Sequence, residues 1–354
     1  MNSGIYILSL PIQSGKTTLL QQWLKAQTVS VAGFLSPDIN GRRHLLNIST
    51  NELRCFQLAD DADGIKIGRF VFDSAVFEWG KEMLQRSLQA TNDWIMIDEV
   101  GRLEINENSG WEPILTEVIK NFQSRLQDRK LLLVIRDYLL DEAIEKYGLQ
   151  SAKVLPASFF ADEKLPALNG LVLCGGESNR MKQPKALLQY HNDPQFLHVA
   201  KQLALFCNSV YISANMQLDN TNGFTVIPDA DQYKHAGPIS GVLSAIEKNA
   251  VTALFTLGCD YPYLQRKDLL QLFNALDDEH EAFCFQHPKS KFVEPLIAVY
   301  HPSCFAKMKQ YFDGGGQSLQ KFLVQINTKV IIPKDDSVLK SHDTPEDFLT
   351  FKKE

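Results

Sequence analysis

The chain has 354 residues, of which 44% are hydrophobic and 22% charged, with a formal net charge of −6. That length sets two domains as the expectation. The acidic balance argues against a general nucleic-acid binder, which carries a basic excess, and no run of about 18 apolar residues marks a membrane span. The start, MNSGIYILSL, lacks the basic opening and small-residue cleavage site of a secretory leader. Cys55, Cys174, Cys207, Cys259, Cys284 and Cys304 form no C-x-x-C pair. They read as reduced, mostly buried thiols of a cytoplasmic protein.

The first element is an apolar, β-prone run, Ile5-Tyr6-Ile7-Leu8. A loop ending in Gly15-Lys16-Thr17-Thr18 follows, and then the helical spacing of Leu19 to Leu24. Strand, loop and helix in this order suit phosphate binding: loop amides cradle the anion, Lys16 neutralises it, and Thr17 holds Mg²⁺. The first glycine of G-x-x-x-x-G-K-[ST] is absent, and Leu10 stands there. A side chain at that turn is expected to strain it and to weaken turnover. Ile39 to Val71 is polar with short apolar pieces and reads as inserted antiparallel hairpins. Phe72 to Leu88 and Trp111 to Leu126 read as core-facing helices, with Trp79 and Trp111 in the core. Asp93 to Glu104 is an apolar strand ending in Asp98-Glu99, where an Asp holds Mg²⁺ and a Glu orients a water, or where both are solvated.

These pieces carry a resemblance. The string Asp98-Glu99-Val100-Gly101-Arg102-Leu103-Glu104 resembles the D-E-[IV]-G-x-[ML]-E signature of a small P-loop nucleoside-triphosphatase family. Val31 to Pro37 resembles its G-F segment, and Lys130 to Asp137 its later strand with a trailing Arg136. The resemblance implies a second nucleotide bound with Mg²⁺ at Gly15, Lys16, Thr17 and Thr18, with Asp98 on the metal.

Leu149 to Leu168, with Pro156, Asp162-Glu163-Lys164 and Pro166, breaks both periodicities. Domains are therefore expected at 1–152 and 169–354, joined by a linker at 153–168. Leu171 to Leu188, LVLCGGESNRMKQPKALL, is a short buried strand, a glycine-rich loop, and a helix-like segment from Ala186. Backbone amides at Gly175-Gly176, with Arg180 and Lys185, suit a phosphate chain. Val210 to Asn215 is a strand ending in an amide, which contacts a nucleotide or caps the next turn. Phe224 to Asp229 is a further strand, followed by Gly237-Pro238-Ile239-Ser240-Gly241 and an apolar helix. Val251 to Pro262 is a central strand whose end carries Asp260. One strand-end carboxylate suffices for Mg²⁺ shared with substrate oxygens. His235 and His287 have no ligand partner at fixed spacing. Alternating strands and helices make this half a second doubly wound α/β domain with a mainly parallel sheet.

The pattern GG-x-S-x-R-M-x-x-x-K-A-L-L resembles the loop of the molybdopterin guanylyltransferase (MobA) family. G-P-I-x-G, the C-D-x-P around Asp260, Val293 to Tyr300, Ser318 to Leu323 and the T-P-E-D of Thr344 to Asp347 resemble its later motifs. The resemblance implies a Rossmann-like nucleotidyltransferase fold beside the P-loop fold. It further implies GTP and molybdopterin, with or without molybdenum, as substrates. Leu173, Cys174, Gly175, Gly176, Asn215, Asp229, Gly237 and Pro238 would contact the nucleotide. Arg180 would hold the β- and γ-phosphates, Lys185 the α-phosphate, and Asp260 and Asp343 the Mg²⁺. Asp229 would read guanine, and molybdoenzymes or their chaperones would take the product. Lys182 stands at a family glycine, Asp343 at a family Asn, and Pro184 before Lys185 looks like the cytidylyl branch. A molybdenum cofactor cytidylyltransferase, a sugar-phosphate nucleotidyltransferase and a nucleotide-binding scaffold with little turnover are the other readings.

Overall fold

Long apolar runs bounded by polar loops make the central strands of two sheets, in two units, Met1–Glu163 and Lys164–Glu354. The computed structural model describes residues 4–124, 128–161, 165–174, 184–248 and 251–353.

In the first unit, β1 (Ile5–Leu10) leads through the phosphate loop into α1 (Lys16–Ala26). β2 (Val31–Leu35) is followed by the hairpins β3 (Asp38–Ile39), β4 (Arg42–Asn47), β5 (Leu53–Cys55), β6 (Ile65–Ile67) and β7 (Phe70–Phe72). Then come α2 (Ser74–Gln89), β8 (Trp94–Val100), α3 (Arg102–Asn106), α4 (Ile114–Ser124), β9 (Lys130–Arg136) and α5 (Leu140–Tyr147). The unit closes with β10 (Lys153–Val154) and α6 (Ala157–Ala161). The sheet order is β10-β1-β9-β8-β2-β4-β3, parallel from β10 to β2 and antiparallel beyond. Strands β8 and β9 are apolar on both faces because helices cover both, as a parallel sheet requires. Gly33 has φ +99°, and a Cβ there would meet the Met96 carbonyl oxygen at 2.0 Å. Only glycine permits that approach of β2 to β8.

Residues 153–161, expected in the linker, carry secondary structure. Tyr6 and Ile7 pair with Lys153 and Val154, and Phe160 packs edge-on against Trp23. Leu10 does not strain the loop either. It is the last residue of β1, opposite Arg136, with its side chain buried in the core. The positive-φ positions fall later, at Gln13 (60°) and Gly15 (80°). The chain turns after Leu10, so a leucine fits where a glycine was expected.

The second unit starts with β11 (Leu168–Leu173) and continues with α7 (Gln195–Leu203), β12 (Val210–Ser213), β13 (Thr225–Ile227), α8 (Pro238–Lys248), β14 (Ala253–Gly258) and α9 (Arg266–Phe273). β15 (Ala282–Gln286), β16 (Val293–Tyr300), α10 (Phe305–Asp313), α11 (Leu319–Leu323), β17 (Thr328–Ile331) and α12 (Pro345–Phe351) complete it. The order is β13-β12-β11-β14-β16-β15-β17. The sheet is parallel through β14, but β16 runs antiparallel to both its neighbours, so the sheet is mixed. The helix expected from Ala186 is a single 3-10 turn, Lys185–Leu187, and the α-helix begins only at Gln195. Leu188 is extended there, and buried Tyr190 packs edge-on against Phe348 and Phe351. That packing draws the chain away from a helical path.

Candidate active sites

In the first unit the loop and two strand ends converge. Gly15 caps α1 in the left-handed region, which glycine adopts freely. Lys16 Nζ donates to the carbonyls of Leu10 (3.1 Å) and Pro11 (2.8 Å). Burial lowers its pKa, and the nearby Glu99 and Asp98 oppose that. Thr17 Oγ1 donates to Asp98 Oδ2 at 2.7 Å, and the Ser36 amide donates to the same oxygen at 3.1 Å. Burial raises the Asp98 pKa, with Glu99 adding to the rise and these two donors countering it. Arg136 Nε donates to Glu99 Oε1 at 2.6 Å. Thus Lys16, Thr17 and Asp98 lie together as expected. Glu99, read as orienting a water, instead pairs with Arg136, and Ser36 is a site partner that the sequence does not single out. Among the described residues no three His, Cys, Asp or Glu side chains gather as a metal cage. A cation carried in on phosphates needs only one or two protein oxygens.

In the second unit β11 ends at Leu173 and β14 at Gly258, side by side in register. Cys174 and Cys259 follow, with sulfurs 3.8 Å apart as free thiols. The expected contacts Gly175, Gly176 and Arg180, and also Lys182, lie outside the described residues. Asp260 comes next. Its Oδ1 is buried without a hydrogen-bond donor among the described residues. Burial pushes its carboxyl up to about 6; Lys185 opposes the rise, and the carboxylates of Glu294 and Asp343 add to it. A Cβ on Gly258 would lie 2.5 Å from that same Oδ1, so glycine leaves the carboxylate its room. Lys185 Nζ forms an ion pair with Asp343 Oδ1. The His342 amide donates to the Asp260 carbonyl at 2.8 Å, which ties the last segment to the site. Thr344 and Asp347 form a capping box on α12 and hold Asp343 in place.

Glu294, on the antiparallel β16, is buried beside Asp260. It accepts a hydrogen bond from Tyr261, and its Oε2 lies 3.5 Å from His287 Nε2. This network did not stand out in the sequence, because the pairing of β16 with β14 joins segments some forty residues apart.

The expected base-reading residues also meet. Asn215 lies two residues past β12 rather than at its end. Its Nδ2 donates to Asp229 Oδ2 at 2.7 Å, and the Asp229 amide donates back to Asn215 Oδ1 at 2.9 Å. The pair is partly solvent-exposed rather than buried. Gly237 has φ 78°, and Pro238 opens α8, where its missing N–H costs nothing. A Cβ on Gly241 would meet Ser213 Oγ at 2.3 Å, so this glycine seats α8 against β12.

Residues 170–329 match the family described as MobA-like NTP transferase domain, and residues 5–147 match a family described as NTPase. A probable molybdenum cofactor guanylyltransferase of Halalkalibacterium halodurans is 31% identical over 148 residues, 41% of this chain and 75% of the relative. The chain belongs to the MobA-like NTP transferase family, through its second unit. A molybdenum cofactor guanylyltransferase of Campylobacter jejuni is 28% identical over 193 residues, 54% of this chain and 98% of the relative. A molybdenum cofactor biosynthesis bifunctional protein of Synechocystis is 26% identical over 189 residues, and the match spans about half of each chain, 53% and 54%. The solved molybdopterin-guanine dinucleotide biosynthesis protein A of Archaeoglobus fulgidus matches 52% of this chain and 97% of its own, with 17% identity and a TM-score of 0.43. The NTP transferase unit is thus a nucleotidyltransferase domain, preceded by an NTPase-family unit with its own phosphate loop. No helix among the described residues is long and apolar enough to cross a membrane.

Proposed function

We propose that the second unit transfers GMP from GTP to molybdopterin, with or without bound molybdenum, in a Mg²⁺-dependent reaction. Asp260 carries this reading. It is a strand-end carboxylate beside Lys185 with one buried oxygen that has no partner among the described residues, which fits a hard cation. Asp343 is the second oxygen donor within reach of the same lysine. The names of the relatives support the choice of substrates.

Mg²⁺, when bound, neutralises charge at the α-phosphate. Lys185 leaves Asp343 to hold the α-phosphate, and Arg180 holds the β- and γ-phosphates. The acceptor is a phosphate monoester with a second pKa of about 6, so it arrives ionised and needs no strong base. Its oxygen attacks the α-phosphorus, the bond to the bridging oxygen breaks, and pyrophosphate leaves with the electron pair. Positioning and charge neutralisation supply the catalysis. Product passes to molybdoenzymes or their chaperones in the cytoplasm. The first unit binds a second Mg²⁺-nucleotide at Lys16, Thr17 and Asp98.

A cytidylyltransferase is the second reading. Pro184 before Lys185 favours it, and so does the Asn215 amide already held on Asp229. Pyrophosphate release from GTP, CTP, ATP and UTP, each with and without molybdopterin, tests both. The guanylyl reading expects release with GTP that depends on the acceptor. Equal rates, or CTP ahead, overturns it.

A further inference from the structure

The transfer chemistry uses neither of two thiols that stand beside it, Cys174 and Cys259. Their place follows from the sheet. Leu173 and Gly258 are partners on the parallel strands β11 and β14, and each cysteine is the next residue of its chain. The Cys174 amide still donates to the Ser213 carbonyl at 3.0 Å, so β11 keeps its path through Cys174. The two sulfurs lie 3.8 Å apart, both as free thiols. Cys174 is half-buried, whereas Cys259 is only 5% exposed.

A disulfide holds its sulfurs about 2.05 Å apart and its Cα atoms about 4.4–6.8 Å apart. Neighbouring strands run about 4.8 Å apart, inside that window. Rotation of the two side chains and a small shift of the two strand ends therefore close the gap. The shift has a functional target on each side. Asp260 follows Cys259, and its Oδ1 is packed so closely that a Cβ on Gly258 would stand 2.5 Å from it. The glycine-rich stretch that begins at Gly175 follows Cys174. A bond between the sulfurs thus acts on the carboxylate and on the start of that stretch together.

We infer that Cys174 and Cys259 form a thiol–disulfide switch that shuts the transfer site of the second unit when hydrogen peroxide reaches it. The oxidant is small and meets the half-buried Cys174 first. The Cys174 sulfur attacks one peroxide oxygen, the O–O bond breaks, water leaves, and Cys174 becomes a sulfenic acid. The Cys259 sulfur then attacks the Cys174 sulfur, the S–O bond breaks, and a second water leaves. The two thiols have given up two electrons and two protons, and the peroxide has taken up both. Burial shields Cys259 from the oxidant and spares it for this second step. A dithiol reverses the bond by exchange. Reduced thiols are the resting state, since disulfides in reducing compartments are mostly transient and redox-sensing.

The full-length reduced protein, treated with graded hydrogen peroxide and then catalase, provides the test. Free thiols are alkylated and the digest is mapped by mass, while pyrophosphate release is measured with GTP, molybdopterin and Mg²⁺. The rate rests on those substrates, and the mass map does not. A peptide joining Cys174 to Cys259 is expected. As it accumulates, release falls about a hundredfold, the scale on which a misplacement of about 1 Å acts. Dithiothreitol removes the joined peptide and restores the rate. Cys259→Ala keeps its own untreated rate at the same dose. Cys174→Ser, compared with its own untreated rate, serves if the first variant does not fold. No joined peptide at doses that oxidise the exposed Cys55 overturns the switch. So does a joined peptide with an unchanged rate, or an equal fractional loss in the variants. No release by the untreated protein overturns the substrates instead, and the joined peptide then decides the switch.

Discussion

The two units solve the same problem with opposite electrostatic arrangements. Each places a loop after its first core strand and a carboxylate at the end of a strand in the same parallel set, Asp98 on β8 and Asp260 just past β14. In the first unit the polar groups are satisfied internally: Asp98 accepts from Thr17 and Ser36, and Lys16 donates to its own loop. In the second, one buried oxygen of Asp260 has no partner among the described residues, and the lysine is paired one carboxylate away, on Asp343. A satisfied carboxylate is stable without a cation, whereas an unsatisfied one costs free energy until a cation arrives. The first site meets its charge within the protein, and the second leaves a carboxylate oxygen open among the described residues.

Removing the unsatisfied charge is the sharpest way to break the contrast. Asp260→Asn is expected to fold and to lower transfer at least about a hundredfold, the usual scale for a lost preorganised charge contact. Near-normal pyrophosphate release by the folded variant would remove Asp260 from metal binding. On the other side, Lys16→Ala is expected to weaken Mg²⁺-nucleotide binding to the first unit by about a hundredfold while leaving transfer intact. Calorimetric titration of wild type and Lys16→Ala with a nonhydrolysable triphosphate reads the difference as the loss of the first unit's site, since the second unit's contacts are the same in both. An unchanged Kd would mean that the loop no longer binds phosphate.

How far the sequence carried each half follows from where the determinants lie. Gly15-Lys16-Thr17, Asp98-Glu99 and the run into Asp260 are local strings whose geometry is set by a strand and its next turn, and they were readable. The inserted hairpins were readable too, from alternation broken by polar turns. Three things were not. The fit of Leu10 depends on the loop turning later, at Gln13 and Gly15. The failure of the helix at Ala186 depends on Tyr190 packing against Phe348 and Phe351, some 160 residues away. Glu294 reaches the site only through an antiparallel strand inserted beside β14. Each is a tertiary contact overriding a local preference.

The second unit also carries an acid-sensitive element. His191 and His198 stack with centroids 3.8 Å apart. Burial, with His191 adding to it, lowers the His198 pKa to about 3. The folded pKa is thus depressed: the unfolded chain takes up a proton below about 6.5 while the fold resists until about 3, so stability falls with pH across that window. Asp260 acts the other way, since its raised pKa favours the fold as pH drops below about 6. The difference between wild type and His198→Phe cancels the Asp260 contribution. Between pH 7 and pH 5 that difference is expected to change by about 2 kcal/mol in favour of the variant. Parallel denaturation midpoints for both proteins would dismiss the histidine. Gly258→Ala has a smaller effect. Its methyl would displace the Asp260 carboxylate, which can rotate, so transfer is expected to fall about tenfold with little change in Tm. Unaltered kcat/KM would show that the crowding is relieved elsewhere.

The last effect concerns the base. Guanine offers two donors on its Watson–Crick edge, N1–H and the N2 amino group, whereas cytosine offers only its amino group. A carboxylate at the base can therefore prefer guanine. Asp229 already accepts from the Asn215 amide on Oδ2, and among the described residues no donor is seen on Oδ1. The pair is also partly exposed, so the penalty for an unmatched acceptor is at the low end of the 1–3 kcal/mol range. Asp229→Ala is accordingly expected to reduce the GTP-over-CTP ratio of kcat/KM by about tenfold, at the bottom of the discrimination that hydrogen-bonding sites achieve. Asn215→Ala, which frees Oδ2, should leave the preference intact or raise it if Asp229 stays in place. The two variants measured side by side separate base reading from loop bracing. A loss of preference in both, with equal loss of kcat/KM for GTP and CTP, would mean that Asn215 and Asp229 brace the loop and that the base is read elsewhere.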